Sequence, residues 1–174
     1  MIRLLLARGR VLLFALVALA APAAAKPDYS GDIKADYDKS LGALWDHFHR
    51  NPELSFREFK TAARMAQELR AIPGLVVTEK VGQTGVVGVL KNGDGPVVLV
   101  RADMDGLPVQ ERSGYANAST VRQVGVDGLE MPVMHACGHD VHITSLVGTA
   151  RQLARLKDRW KGTVIFIVQP AEER

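Results

Sequence analysis

Two short apolar runs that favour β-structure constrain the fold of this 174-residue chain more than any other feature. They are residues 97–100 (VVLV) and residues 163–168 (TVIFIV), and each is followed at once by a polar cluster. Between them, apolar residues recur at helical spacing over residues 143–156. Strands that are apolar throughout are typical of sheets covered on both faces. The pattern predicts an α/β domain, a layered sheet with helices on both faces.

Two helices are predicted upstream of the strands. Apolar residues at helical spacing indicate one helix from about residue 32 to residue 50. Ser55, followed three residues later by Glu58, fits a capping box at the start of the second helix. Further on, Asn92-Gly93 separates two β-branched runs and predicts a hairpin-like turn between them.

The first 25 residues have the pattern of a secretory signal peptide. Three arginines are followed by an uncharged apolar run at residues 11–21 and by small residues at 23–25 that suit cleavage. The apolar run has 11 residues, too few to span a bilayer as a helix, which takes about 20. We therefore expect a signal peptide at 1–25, a mature chain from residue 26 to 174 and a periplasmic or secreted location. An uncleaved anchoring N-terminus is the alternative.

Charge and cysteine content exclude several classes of protein. Of 22 basic side chains, three lie in residues 1–25, which leaves 19 basic against 19 acidic in the rest. A neutral body has no basic stripe to follow phosphates, so no nucleic-acid partner is expected. A single cysteine cannot form an internal disulfide. After cleavage of the signal peptide no stable membrane insertion is expected.

Three polar clusters carry the candidate chemistry. They are residues 101–105 (RADMD), 135–142 (HACGHDVH) and 169–173 (QPAEE). The first and third directly follow the apolar runs, and active sites of open α/β sheets lie beyond the carboxyl ends of the strands. The second is a glycine-containing loop that leads into a predicted helix, the kind of segment where functional residues concentrate.

The residue types in these clusters suit a metal site. Cys137 and His139 are separated by Gly138, which would let both side chains converge on zinc or a similar divalent ion. Glu172 and Glu173 allow one carboxylate to bind the metal and the other to act as general base on its water.

Each residue also has an interpretation that involves no metal. Cys137 could be a buried small hydrophobe, and the glutamate pair could be solvated surface. Asp103 and Asp105 could cap a turn or orient a ligating histidine from outside. The other histidines are interpreted as structural or surface positions, or as residues that flank the site: His47, His49, His135 and His142.

Longer strings resemble one family. Residues 97–111 (VVLVRADMDGLPVQE), 131–150 (MPVMHACGHDVHITSLVGTA) and 164–173 (VIFIVQPAEE), with 48–62 upstream, are similar to the amidohydrolase branch of the aminoacylase/carboxypeptidase metallopeptidases. That branch includes hippurate hydrolase, N-acyl amino-acid amidohydrolases and hydrolases of indole-acetyl amino acids. The resemblance covers residues 32–173.

The resemblance implies a role for individual residues. Cys137, His139 and Glu173 match metal ligands, Glu172 matches the general base, and Asp105 matches an aspartate that orients a ligand. The implied fold is a zinc-exopeptidase α/β domain with a smaller inserted domain. The implied reaction cleaves the amide bond of N-acyl amino acids or short peptides through a metal-activated water. Two ions per complete site are expected, zinc or else manganese, cobalt or nickel.

The resemblance also implies that the chain corresponds to the N-terminal portion of such an enzyme. Family members are more than twice this length, and their two further ligand histidines, inserted dimerisation domain and final strands have no counterpart in the 174 residues. We therefore expect the chain to be inactive alone and the full-length protein to be able to form a homodimer. The alternative is a non-catalytic remnant that binds a metal weakly. A thiol redox protein is disfavoured because the chain has no Cys-x-x-Cys.

Overall fold

The structure is a computed structural model that describes residues 27–174. The predicted signal peptide and its cleavage point lie outside the described residues. Among the described residues, none of the helices combines the length and apolar character that crossing a membrane would require.

Helices form close to where the sequence predicts them. The predicted helix from residue 32 to residue 50 is a nearly continuous helical segment that contains one π-helical turn, and the later helices begin and end within a few residues of expectation. The bounds are α1 Ser30–Asp36, the π-turn Tyr37–Leu41, α2 Gly42–Arg50, α3 Phe59–Arg70 and α4 His139–Arg155.

A four-stranded mixed sheet forms the second layer. The strands are β1 Leu75–Val81, β2 Gly85–Asn92, β3 Val97–Asp103, β4 Arg122–Val124, β5 Glu130–Pro132 and β6 Gly162–Gln169. The order in the four-stranded sheet is β1-β2-β6-β3, in which β3 runs parallel to β6 and the other neighbours are antiparallel. The sequence does not predict the separate two-stranded sheet of β4 with β5.

The predicted hairpin at Asn92-Gly93 is wrong. Strands β2 and β3 do not pair with each other, because β6 lies between them and bonds to both. The backbone N–H of Thr163, near the start of β6, donates to the Pro96 carbonyl at 3.0 Å. The turn therefore carries the chain past the end of β6 rather than directly back along β2.

The core lies between the helices and one face of the sheet. Phe48 of α2, Met65 of α3 and Ile143 of α4 pack with Leu90 and Phe166 of the sheet, and all five are essentially inaccessible. Burial of this apolar surface supplies the main driving force for folding. The predicted α/β layered class is confirmed.

The helices lie on one face of the sheet only, which differs from the expectation of helices on both faces. Strand register places Leu99 beside Ile165, on the face opposite Phe166. On that face Val76, Val97 and Leu99 are 69%, 67% and 56% exposed, and within residues 27–174 no helix covers them. Strand β3 is thus apolar on both faces, as is typical of strands in sheets covered on both sides. One of these faces is uncovered within the described residues.

Candidate active site

Parallel pairing of β3 and β6 brings two of the polar clusters together. Asp103 at the end of β3 lies beside Gln169 at the end of β6, and the Met104 N–H donates to the Gln169 carbonyl at 3.1 Å. One turn further, the Glu173 N–H donates to Asp105 Oδ2 at 3.1 Å. The carboxyl ends of the two strands therefore hold the RADMD and PAEE segments at one edge of the sheet, as sequence reasoning expected.

The HACGHD loop is attached to the same edge. Leu107 and Met134 exchange backbone hydrogen bonds of 2.9 and 3.1 Å, which position the loop beside the end of β3. Gly138 then has a φ of 81° and directly precedes α4. This left-handed conformation favours glycine, so Gly138 lets the chain turn between Cys137 and the first helical residue, His139.

His139 is held in one orientation. Its Nδ1 donates to the backbone carbonyl of Asp105 at 2.8 Å, and its side chain is buried. This bond selects the neutral tautomer in which Nδ1 carries the proton and Nε2 has the free lone pair. Three carboxylates surround that nitrogen at distances too long for hydrogen bonds: Asp103 Oδ2 at 3.9 Å, Glu172 Oε2 at 3.9 Å and Glu173 Oε1 at 3.8 Å.

This arrangement fits a divalent cation. Ligand atoms of Cys137, His139 and Glu173 lie within 4.8 Å of one another. Asp105 Oδ1 and Glu173 Oε1 are buried and have no hydrogen-bond partner among the described residues. Glu173 accepts from the thiol and, with its charge, raises the pKa of Cys137. Acceptor atoms that converge with no donor among them except this thiol favour a positive ion in the same place. A thiolate, an imidazole and a carboxylate form a ligand set typical of zinc.

For Cys137 and Asp105, the interpretations that involve no metal do not agree with the structure. Cys137 is exposed rather than a buried hydrophobe. Asp105 is buried, and its carboxylate accepts from Ser55 Oγ at 2.6 Å and from Glu173 N, so it does not cap a turn of its own segment. Glu172 is the more exposed of the glutamate pair, with 37% of its side chain accessible against 22% for Glu173.

Sequence reasoning missed the role of Ser55 and Glu58, because the predicted capping box does not form. Neither side chain caps α3. Glu58 is fully buried and accepts from Thr84 Oγ1 at 2.8 Å and from the Ala171 N–H at 2.8 Å. Ala171 has a φ of 52°, in the left-handed region that a non-glycine residue rarely adopts. Glu58 therefore holds the turn that presents Glu172 and Glu173.

His49, expected at a structural or surface position, has a structural role. Its Nδ1 lies 2.8 Å from Asp140 Oδ2 and its Nε2 lies 3.3 Å from Glu111 Oε1. Both carboxylates are almost fully buried. The imidazole thus bridges the start of α4, next to His139, to the segment that follows β3. By contrast His47, also on α2, is exposed and takes no part in this contact.

Two other residues border the site. His135 is buried, and among the described residues neither ring nitrogen has a hydrogen-bond partner. Burial lowers the pKa of His135 to about 4, so its ring is neutral at pH 7. Arg101 forms an ion pair with Asp103 and lies 3.8 Å from Glu172 Oε1, which places one positive charge at the rim of the carboxylates.

Burial of Glu58 makes stability depend on pH. Burial raises the pKa of Glu58 above its ordinary value of 4.5, since desolvation disfavours the charged form. The folded state then binds more protons than the unfolded state, so this contribution is present at low pH and is lost as the pH rises through the raised pKa. We expect Glu58→Gln to gain stability relative to the wild type as the pH rises through that window.

Urea unfolding midpoints measured across the acidic to neutral range test this expectation. Glu130→Gln is the matched control, because Glu130 is exposed and its substitution should give no comparable trend. A stability difference between Glu58→Gln and the wild type that stays constant with pH would show that Glu58 does not carry this linkage.

Comparison with known proteins agrees with the site geometry. Residues 99–174 match the model of peptidase family M20/M25/M40. N-acetylcysteine deacetylase of Bacillus subtilis is 43% identical over 126 residues, which cover 72% of this chain and 31% of that protein. Hippurate hydrolase of Campylobacter jejuni is 41% identical over 143 residues, which cover 82% of this chain and 33% of that protein. The chain thus spans about a third of the length of these curated relatives.

A solved structure supports the same relationship. A Bacillus subtilis protein described as a dinuclear metal-binding peptidase of the M20 family superimposes with a TM-score of 0.69 at 38% identity. The match covers 80% of this chain and 36% of that one. The resemblance inferred from the HACGHD and PAEE segments is confirmed, because residues 99–174 match peptidase family M20/M25/M40 and these relatives are 38–43% identical over most of the chain.

Proposed function

We propose that the protein acts as a metal-dependent amidohydrolase that cleaves the amide bond of N-acyl amino acids or short peptides. The observation that carries the proposal is the convergence of acceptor atoms on His139 Nε2, with carboxylate oxygens at 3.8–3.9 Å and the Cys137 thiol in the same group. The names of two relatives, an N-acetylcysteine deacetylase and a hippurate hydrolase, support this substrate class.

In this proposal Cys137 Sγ, His139 Nε2 and a Glu173 carboxylate oxygen hold the cation, which is zinc or else manganese, cobalt or nickel. When bound, such an ion lowers the pKa of water and polarises a carbonyl oxygen. A complete site would hold two ions. The carboxylate of Glu173 is a ligand in this proposal. The backbone of Glu173 is also held in place, because its N–H donates to Asp105 Oδ2 at 3.1 Å.

Glu172 serves as the general base. Its carboxylate is more exposed than that of Glu173, and its Oε2 lies 3.9 Å from His139 Nε2. A base in this position can take a proton from the attacking water onto its Oε2. It can then give that proton to the leaving amine. Arg101 Nη2 lies 3.8 Å from Glu172 Oε1 and places a positive charge beside this carboxylate.

Asp105 acts as a positioning residue rather than by contact with substrate. It is 1% exposed, its backbone carbonyl accepts the Nδ1 proton of His139, and its carboxylate accepts from Ser55 and from the Glu173 N–H. A single aspartate thus links α4, the segment before α3 and the turn after β6. Outer partners of this kind typically affect metal affinity about 10- to 100-fold.

Hydrolysis of a panel of N-acyl amino acids tests the proposed activity. Release of the free amino acid from the full-length protein is expected to stop after chelation of divalent ions and to return when zinc, manganese, cobalt or nickel is added. Turnover that is unaffected by complete removal of the metal would contradict the proposal, as would a protein that retains the metal and hydrolyses no amide in the panel.

We also propose that residues 26–174 have no activity alone. The open sheet face, with Val76, Val97 and Leu99 exposed, supports this proposal because uncovered apolar surface and a free strand edge favour association over a stable monomer. We also propose that the full-length protein can form a homodimer. Purified residues 26–174 that melt cooperatively as a monomer and hydrolyse an N-acyl amino acid would contradict the proposed inactivity.

Export to the periplasm or the medium is a further part of the proposal. The charge break and the alanine run at residues 23–25 support cleavage after Ala25. The intact mass of the exported protein is expected to lack residues 1–25. Recovery of the protein from the cytoplasm with Met1 still present would contradict both the cleavage and the location.

A further inference from the structure

His139 belongs to two groups of candidate metal-ligand side chains. One group contains Cys137 and Glu173, and the other contains Asp103 and His142. In each group the three ligand atoms, counting that of His139, lie within 4.8 Å of one another. Apart from His139, no residue of the second group has a role in the proposed function.

Helix geometry explains why His142 belongs to this second group. His139 and His142 occupy positions i and i+3 in the first turn of α4, which places their side chains on the same face of the helix. Their ring centroids are 5.5 Å apart. Asp103, at the end of β3, faces the same point with Oδ2 3.9 Å from His139 Nε2. Its other oxygen, Oδ1, is ion-paired with Arg101, so Oδ2 is the atom left to bind a cation.

Only one nitrogen of His139 is available to either group. Nδ1 donates to the Asp105 carbonyl at 2.8 Å, so Nε2 is the donor atom for a metal. Its single lone pair binds one ion at a time. An ion held by Cys137 and Glu173 and an ion held by Asp103 and His142 must therefore compete for this imidazole.

We propose that Asp103 and His142 form, with His139, a second divalent-cation position that competes with the Cys137–Glu173 position for Nε2 of His139. The inference rests on the proposed metal-binding function and extends it to two residues that have no ligand role there. The two positions differ in chemistry, because one contains a soft thiolate and the other only nitrogen and oxygen donors. Soft cations select the first position, and loss of the thiolate moves the cation to the second.

Titration of the full 174-residue chain with Co²⁺ distinguishes the two positions, because a thiolate ligand adds a charge-transfer band in the near ultraviolet. We expect the wild type to bind one Co²⁺ per chain with this band. Cys137→Ser should still bind one Co²⁺, without the band and about 100-fold more weakly. His142→Ala in the Cys137→Ser background should lower the affinity by a further factor of about ten or more, which corresponds to the loss of about 1.4 kcal/mol.

Two controls separate this effect from general changes. His142 is exposed, so its substitution should leave the far-ultraviolet circular dichroism unchanged. His47→Ala in the Cys137→Ser background removes another exposed histidine and should leave the Co²⁺ affinity unchanged. In the wild-type background His142→Ala should change the affinity less than about threefold, since Cys137 and Glu173 then hold the ion.

The failure of this inference is distinguishable from the failure of the proposed function. If Cys137→Ser and Cys137→Ser/His142→Ala bind Co²⁺ equally, or if the wild type binds two Co²⁺ tightly, the competing second position is wrong while the proposed function stands. If the folded wild-type chain binds no Co²⁺ with a thiolate band, the Cys137–His139–Glu173 site fails, and the second position fails with it.

Discussion

Glu172→Gln is expected to lower the turnover of N-acyl amino acids by about 10²- to 10⁴-fold, the usual contribution of general acid–base catalysis. The amide keeps the size of the carboxylate but cannot take a proton from water. The metal content should remain close to that of the wild type, because Cys137, His139 and Glu173 hold the ion in the proposed site. The measurement is kcat together with metal content on the same preparation of full-length protein.

Glu173→Gln is the matched control for this variant, since the two residues are adjacent and the chemical change is the same. It should lower the metal content first and activity as a consequence, so excess metal should restore part of its turnover. Excess metal should not restore Glu172→Gln. Near-wild-type turnover in Glu172→Gln, or restoration of its activity by metal, would show that the roles of the two glutamates are assigned incorrectly.

The second large effect is a loss of zinc binding, expected when a metal-ligating side chain is removed. Cys137→Ala and Glu173→Ala should each weaken zinc binding by more than about 100-fold. Loss of a residue that only orients a ligand costs up to about 100-fold in metal affinity, and loss of the ligand itself should cost more. Each variant leaves fewer donors around an ion that favours four. Zinc content after dialysis against a weak chelator measures this effect.

His47→Ala is the control for the ligand variants, because it removes an exposed imidazole outside the site. It should retain the zinc content of the wild type. Full zinc content in Cys137→Ala would place the ion elsewhere, and equal loss in His47→Ala would show that zinc binds nonspecifically to surface histidines.

The apolar runs allowed much of this architecture to be predicted from sequence. Strand and helix patterns are local, so the apolar segments at residues 97–100 and 163–168 indicated strands without knowledge of their neighbours. The carboxyl ends of parallel strands share one edge, which is why Asp105 and Glu173 could be expected to meet although 68 residues separate them. Gly138 was likewise expected to permit a turn, and its φ of 81° agrees.

Contacts that depend on tertiary structure were not accessible in the same way. Ser55 and Glu58 have the spacing of a capping box, but Ser55 bonds to Asp105 and Glu58 bonds to Ala171, 50 and 113 residues away. No local signal distinguishes these two uses of the same residue types. Strand order is similar, because the insertion of β6 between β2 and β3 depends on pairing over a long sequence separation.

His49 illustrates the same limit for the site itself. An isolated histidine on an amphipathic helix gives no indication of its partners, and the carboxylates it bridges, Glu111 and Asp140, lie 62 and 91 residues further along the chain. The bridge forms because α2 and α4 pack against each other in the core. Residues that support a site from neighbouring elements therefore become visible only when the packing of those elements is known.

Anomalous diffraction from a crystal of the protein grown with zinc is the most direct test of the proposed metal centre. A peak at the zinc absorption edge is expected between Cys137, His139 and Glu173, about 2.3 Å from Sγ and about 2.0–2.1 Å from Nε2. Glu172 should lie beside the peak without binding to it. A peak located only at surface residues away from Cys137 and His139, or no peak in a crystal of the folded protein, would contradict the account.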